Sequence, residues 1–306
     1  MVPVIIAASL ITFILLAALP GDAALTGSSL ADLTPETLQA RRAQLGLDDP
    51  LPIRYFNWIT DAVRGDLGRS VITNQQVSQL ILERLPVTVQ IMVTTMVISL
   101  IVAIPLGVVT AYRAGSFLDR AVSAVTFAVL SIPPFVLALL LIIFVAVELG
   151  WLPATGWTRL TQDPVQSIKS SLLPALTLSI GIIATLTRLL RSDMIATLQE
   201  DHVVLAKSKG LPTSQILFRH ALRPSSFSLM TVLGLQLAGL ISGSVVIEEI
   251  FALPGLGRSL FRAVQERDFV VAQGLVLLLA VVYVVINFIV DMLYSFLDPR
   301  IRHAFK

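Results

Sequence analysis

Six apolar runs constrain this chain more than any other feature. They lie near Val2–Leu19, Val87–Tyr112, Ala121–Val147, Leu172–Leu190, Phe227–Ile247 and Ala272–Leu297. About 20 helical residues cross a hydrocarbon layer of roughly 30 Å. No water is available inside that layer, so a spanning segment must satisfy its own backbone N–H and C=O groups, and runs of this kind fold as helices. The sequence therefore predicts an all-α, polytopic membrane protein with six transmembrane helices. Composition agrees, with 55% hydrophobic and 14% charged residues and a mean hydropathy of +0.84. Soluble chains carry about 25% charged residues. The competing reading of the first run is a cleaved signal peptide. Its apolar length, the lack of a preceding basic residue and the sequence "ALPGDAALTG" after it argue against that.

Charge sets the orientation. Eleven of the 22 Lys and Arg residues fall in the short segments 113–120, 191–226 and 298–306, counting Arg188 at the end of its span. The other eleven are spread over more than twice that length. Cytoplasmic loops are the ones enriched in Lys and Arg, so both termini are expected in the cytoplasm. The expected organisation is a first transmembrane helix over 1–19, an extracytoplasmic helical segment over 20–85, a five-helix core over 86–297 and a cytoplasmic tail over 298–306. The core carries a large inner loop at about 191–226. The outer segment reads as a small cap of two helices. One starts at Thr34-Pro35 and stops at Gly46. The second lies in "DPLPIRYFNWITDAVRGDLG", with Ile53, Phe56, Ile59 and Val63 at helical spacing and with Tyr55 and Trp58 suited to a membrane interface.

Several classes of chemistry are excluded. There is no cysteine, so disulfides, thiolate catalysis and Cys-ligated metals are out. There is no G-x-x-x-x-G-K-[ST] run to cradle nucleotide phosphates and no H-E-x-x-H zinc site. His202, His220 and His303 lack metal-ligand spacing. The net charge of +2 gives no case for nucleic acid. The adjacent Glu248 and Glu249 end a span at the outer surface and point in different directions, which makes a poor acid/base couple. No enzymatic site, metal site or cofactor is expected in this chain.

The spans themselves carry helix breakers, at Pro105, Pro133-Pro134 and Pro174, and polar residues. Gly239 and Gly243 in the fifth span have the small-xxx-small spacing that lets helices approach closely. Gln236 and Ser242 beside them are candidates for a solute pathway or gate. The sixth span adds Asn287 and Asp291, part of a polar stripe with Tyr283 and Tyr294. An intramembrane Asp is costly, about 3 kcal/mol at mid-span, and suggests function. Asp291 sits near the inner end, where Arg300 could anchor it.

The stretch "LAKSKGLPTSQILFRHALRPS", residues 205–225, interrupts this apolar pattern. Residues 195–209 can form a helix with Ala196, Val203, Leu205 and Ala206 on one side. Gly210 then turns the chain, and Pro212 opens a second short helix near Ser214–Leu222 that presents Ile216, Leu217 and Leu222. A bent helix pair with an apolar ridge and the basic rim of Lys207, Lys209, Arg219 and Arg223 suits protein docking. It equally suits adsorption to anionic lipid.

At this point the sequence is recognisable. "EDHVVLAKSKGLPTSQILFRHALRPSSFSLMTVLGLQ" resembles the inner loop of ABC importer permeases of the dipeptide/oligopeptide/nickel group. The likeness extends along the chain through "LPGD", "LGLDDPLPIRY", "RGDLGRS", "ERLPVTV", "SIPPFVLALLL", "LGWLPATGW", "EEIFALPGLGRSLFRAVQERDFVVAQG" and "LDPRIR". Their order resembles the B-type permease that pairs with a C-type permease. The resemblance implies a type I importer permease fold in a bacterial inner membrane. It implies a heterodimer with the C-type subunit, two cytoplasmic ATPase subunits that hold the ATP and Mg, an extracytoplasmic solute-binding protein and surrounding lipid. It makes the inner loop the ATPase-docking element. Gly210 provides the turn, Ala206 the close contact and Asp201 a matching position, and Leu211 and Pro212 complete the segment. Val204 departs from the general family, which has Glu there. The implied solute is a peptide, with nickel, glutathione or oligosaccharide as alternatives. An ion-driven secondary transporter is the competing class, and it would call for ionisable groups nearer mid-membrane.

Overall fold

The computed structural model describes residues 2–18 and 48–297, together with Glu36, Gln39 and Arg42. Apart from those three residues, the expected cap helix over 34–46 falls outside the described residues, as does the tail over 298–306. Within them the protein is helical, and the only β pairing is an isolated bridge between Arg69 and Gln76. The helices are α1 (Val2–Ala17), α2 (Leu51–Val63), α3 (Val77–Tyr112), α4 (Phe117–Leu130) and α5 (Pro134–Leu141), which continues as a π-helical run over Ile142–Glu148. They are followed by α6 (Pro164–Thr197), α7 (Asp201–Ser208), α8 (Thr213–Ile250), α9 (Leu256–Gln265) and α10 (Phe269–Leu297).

Four of these, α3, α6, α8 and α10, are long and apolar enough to cross a membrane by themselves. The expected third span is instead a bent pair, with α4 and α5 meeting at 102°. Its cause is local. Pro134 occupies the first turn of α5, and a residue before proline is pushed out of the helical region, so Pro133 is extended at φ −60, ψ 140. Pro105 and Pro174, expected as breakers too, lie inside unbroken helices. The described α1 has 16 residues, about 24 Å of helix, and is shorter than a full crossing. The described helices thus give four spans by length, or five with the bent pair, where the sequence pattern suggested six.

The chain divides into two compact units, Met1–Thr88 with Pro254–Val284, and Val89–Leu253 with Val285–Lys306. The first has a core of Val77, Ile81, Leu256, Ala263, Val271, Ala272 and Leu275. In it α2 packs on α1, with the Phe13 ring 5.5 Å from Tyr55 and 5.9 Å from Trp58. Tyr55 and Trp58 therefore dock the cap helix onto α1, while Ile53, Phe56 and Val63 of the predicted stripe are exposed. Also in this unit, the buried Ser70 hydroxyl donates to Asp268 and accepts from the backbone N–H groups of Ile72 and Thr73.

In the second unit α6 is central, and α4, α5 and α8 all pack against it. Asp163 caps its start by accepting from the Gln166 N–H at 3.0 Å, with Pro164 at the first helical position. Its buried face is rich in small polar residues, among them Ser167, Ser170, Ser171, Thr177 and Ser179. Gln90 of α3 donates across to the Ser167 and Ser171 hydroxyls at 3.1 and 3.3 Å. Small residues and interhelical hydrogen bonds are what hold helices together where water supplies no hydrophobic drive. Among the described residues the expected close-approach glycines Gly239 and Gly243 meet no neighbouring helix. A Cβ on Gly239 or Gly243 would meet nothing within 4 Å, whereas one on Gly234 would lie 2.4 Å from Val290. Glu248, two residues before the end of α8 at Ile250, is fully buried.

Candidate functional site

The site is built where α6 ends and α8 begins. After Thr197 the chain leaves the helical path over Leu198–Glu200, and Glu200 at ψ 149 starts α7. Asp201 is the exposed first residue of α7, where a carboxylate meets the positive end of the helix dipole. The helix stops in a Schellman motif. Gly210 at φ +71 takes the left-handed position, its N–H donates to the Lys207 carbonyl at 2.9 Å, and the Leu211 N–H reaches back to the Ala206 carbonyl at 3.3 Å. Glycine adopts that conformation without the cost a side chain carries. Pro212, extended at ψ 147, then accepts from the Ile216 N–H and starts α8.

Ala206 is buried with Val203 and Ile216, and Leu198 and Leu211 pack against the three. The turn is thus a preformed shape with a small apolar core of its own. Two sequence expectations change here. The second short helix is no separate element, because Ile216–Leu222 forms a π-helical segment running directly into the rest of α8. Ala196, which lies on α6, and Leu205 are exposed, and Val204, Leu205 and Phe218 are exposed large apolar side chains around the turn. Lys207, Lys209, Arg219 and Arg223 are exposed around it, so the basic rim is present. His202 bridges Glu200, 3.2 Å from its carboxylate, and the His220 carbonyl oxygen at 3.2 Å.

The structure also shows residues that sequence reading passed over. Asp119, at the start of α4, is almost fully buried, and its two carboxylate oxygens accept from Nε and Nη2 of Arg191 at 2.5 and 2.8 Å. The Gly115 N–H adds a third bond at 2.8 Å. One turn earlier on α6, the Arg188 guanidinium stacks 3.9 Å from the centre of the Phe127 ring. At the other side of the turn, the Thr197 and Ser225 hydroxyls lie 3.3 Å apart in a buried contact between α6 and α8. One signal was readable in the sequence. Ser116-x-x-Asp119 is a helix-start pattern, and Ser116 does cap Asp119. Nothing in the pattern identified Arg191 as its partner.

The pathway candidates lie on α8 and α10. Gln236 is half-buried on α8, and Ser242 is exposed with its hydroxyl donating to the Gly239 carbonyl. Asn287 is half-buried on α10. The side chain of Asp291 lies outside the described residues. The docking segment is one contiguous structure.

Known proteins match this arrangement over nearly the whole chain. Residues 103–303 match the family described as the binding-protein-dependent transport system inner membrane component. The chain belongs to this family. Residues 1–92 match the corresponding N-terminal family of such membrane components. A peptide transport system permease candidate of Brucella abortus (strain 2308) is 40% identical over 302 residues, covering 99% of this chain and 96% of that one. The oligopeptide transport system permease protein of Bacillus subtilis (strain 168) is 35% identical, with 99% and 96% covered. The glutathione transport system permease protein of Escherichia coli O6:H1 is 34% identical, again with 99% and 96% covered. In fold the chain is similar to the methionine ABC transporter MetNI in an inward-facing conformation. The TM-score is 0.60 at 18% identity, covering 72% of this chain and 97% of that one. As a member of the inner membrane component family, the protein is a multi-pass membrane subunit of a transport system that works with a binding protein.

Proposed function

We propose that this chain is the B-type transmembrane subunit of an ATP-driven peptide importer. With a second permease it forms the pathway for peptides delivered by an extracytoplasmic binding protein, and the turn around Gly210 docks on a cytoplasmic ATPase. The observation that carries the reading is that turn. It is a preformed helix end with exposed apolar side chains and a basic rim, in a chain with no phosphate-binding loop of its own. Asp201, Ala206, Gly210, Leu211 and Pro212 are its docking segment. ATP and Mg belong to the partner ATPases. A partner that binds two conformations of the permease with different affinity shifts their populations, and this links hydrolysis to alternating access. Peptide as the solute class is supported by relatives whose names carry peptide, oligopeptide and glutathione transport, the last itself a tripeptide. Both termini lie in the cytoplasm in this reading.

The test is purification of the tagged chain from its native membrane in mild detergent, with mass spectrometry of what co-elutes. A second permease, one or two ATPases and a binding protein are expected. Elution alone, under conditions that keep known transporter complexes intact, would overturn the importer reading in favour of an ion-driven carrier.

A further inference from the structure

The Asp119–Arg191 pair has no part in the docking turn, and an apolar contact could hold two helices together as well. Taking the Asp119 carboxylate out of water is costly, and it is recovered only where geometry is good and its remaining valences are met, here by an Arg191 side chain that stays half-buried. The guanidinium fork uses both carboxylate oxygens, and the Gly115 N–H binds one of them again. Such a two-pronged pair fixes orientation as well as distance.

Its position gives that fixed orientation a use. Arg188 and Arg191 are three residues apart on one face of α6, and they hold α4 at Phe127 and Asp119 respectively. Arg191 is within two turns of the end of α6 at Thr197, and Thr197 meets Ser225 of α8. The docking helix α7 follows after three residues and is packed on Ile216 of α8 through Val203 and Ala206. In the other direction α4 ends at Leu130, where the chain bends by 102° into α5. Ser131–Pro133 carries no helical path across that bend, so a displacement of α4 is absorbed there as a change in angle.

We propose that the Asp119–Arg191 ion pair is the joint through which movement of the docking turn is passed to α4 and the bent segment after it. The two residues are positioning residues for coupling. This inference rests on the importer reading above. Without the pair, α7 and the end of α6 move under the ATPase while α4 lags, and hydrolysis proceeds without opening the pathway.

The experiment uses the complete transporter in liposomes, with uptake of a radiolabelled tripeptide and ATP hydrolysis measured together. The chain contains no cysteine, so with cysteine-free partner subunits, spin labels at Val125→Cys and Phe144→Cys, both exposed and on either side of the bend, report its angle. In the otherwise unaltered chain the distance between labels should change when the ATPases are trapped with vanadate. In Asp119→Asn and in Arg191→Lys, which keeps the charge but loses the fork, the complex should still assemble and hydrolyse ATP. Peptide taken up per ATP should fall roughly tenfold and the distance change should disappear. A normal uptake-to-ATP ratio, or a retained distance change, would overturn the proposal. Failure of both variants to assemble would overturn it too, because the pair would then be scaffold only. If the unaltered chain recruits no ATPase, the importer reading itself fails and takes the joint with it.

Discussion

At position 210 the backbone sits at φ +71, and a Cβ there would meet nothing within 4 Å. The demand for glycine is thus conformational and not steric. A β-branched residue forced into that region costs about 1–2 kcal/mol and tends to unwind the motif. Ala206 is the opposite case, an ordinary helical residue hemmed in by Val203, Ile216 and Leu211. Glutamate there would bury a carboxylate among apolar groups or push α7 away from α8. Gly210→Val and Ala206→Glu are therefore expected to leave insertion and expression intact while ATP hydrolysis loses its link to peptide uptake. Reconstituted transporters with uptake and hydrolysis measured side by side would check this. Wild-type uptake in either variant would remove the docking role from this turn.

Among the elements, the motif strings that sequence reading left without a role acquire one by meeting in space. "RGDLGRS" ends at Ser70, and "ERDF" supplies Asp268. Ser70 closes its own turn by accepting from two backbone N–H groups and donates to Asp268, whose other oxygen accepts from the Val271 N–H at the start of α10. Gly68 is required in this latch, since a Cβ there would come within 2.7 Å of Val270. Removing a buried acceptor that also caps a helix costs about 1–3 kcal/mol. Asp268→Ala is expected to lower the melting temperature of the purified complex in detergent more than Ser70→Ala does. Equal melting of both variants and the wild type would show the latch to be idle. What could be read beforehand follows from the range of each signal. Apolar runs, the Gly-Leu-Pro turn and the α2 periodicity are local patterns, and helices duly appear there. The partners of Asp119, Ser70 and Gly234 are tens to nearly two hundred residues away, and only folding reveals them. Proline illustrates the same limit from inside one element. Three sites carried the same residue type, yet Pro105 and Pro174 are accommodated within helices and the doubled Pro133-Pro134 alone bends the chain.

For the whole molecule the open question set by the 102° bend is whether α4 and α5 together cross the membrane or return to the side they came from. Apolar length does not decide it, but the loops do. The segment before α4 holds Arg113 and is short, as cytoplasmic loops are, and Arg120 follows in the first turn of α4. The stretch after the π-helical run, from Leu149 to Asp163, contains Trp151 and Trp157 and one basic residue, Arg159, and leads into a helix whose other end carries the basic docking turn. If α6 spans and its end at Thr197 is inside, its start is outside, so α4 and α5 must cross between them as one broken span. Single cysteines at Arg113, Thr155 and Lys209, all exposed, turn this into a measurement. A membrane-impermeant maleimide added to intact spheroplasts should label Thr155→Cys directly, and Arg113→Cys and Lys209→Cys only after permeabilisation. Labelling of positions 113 and 155 from the same side would make the bent pair a re-entrant loop. The orientation of everything before it, both cap and first helix, would then have to be inverted.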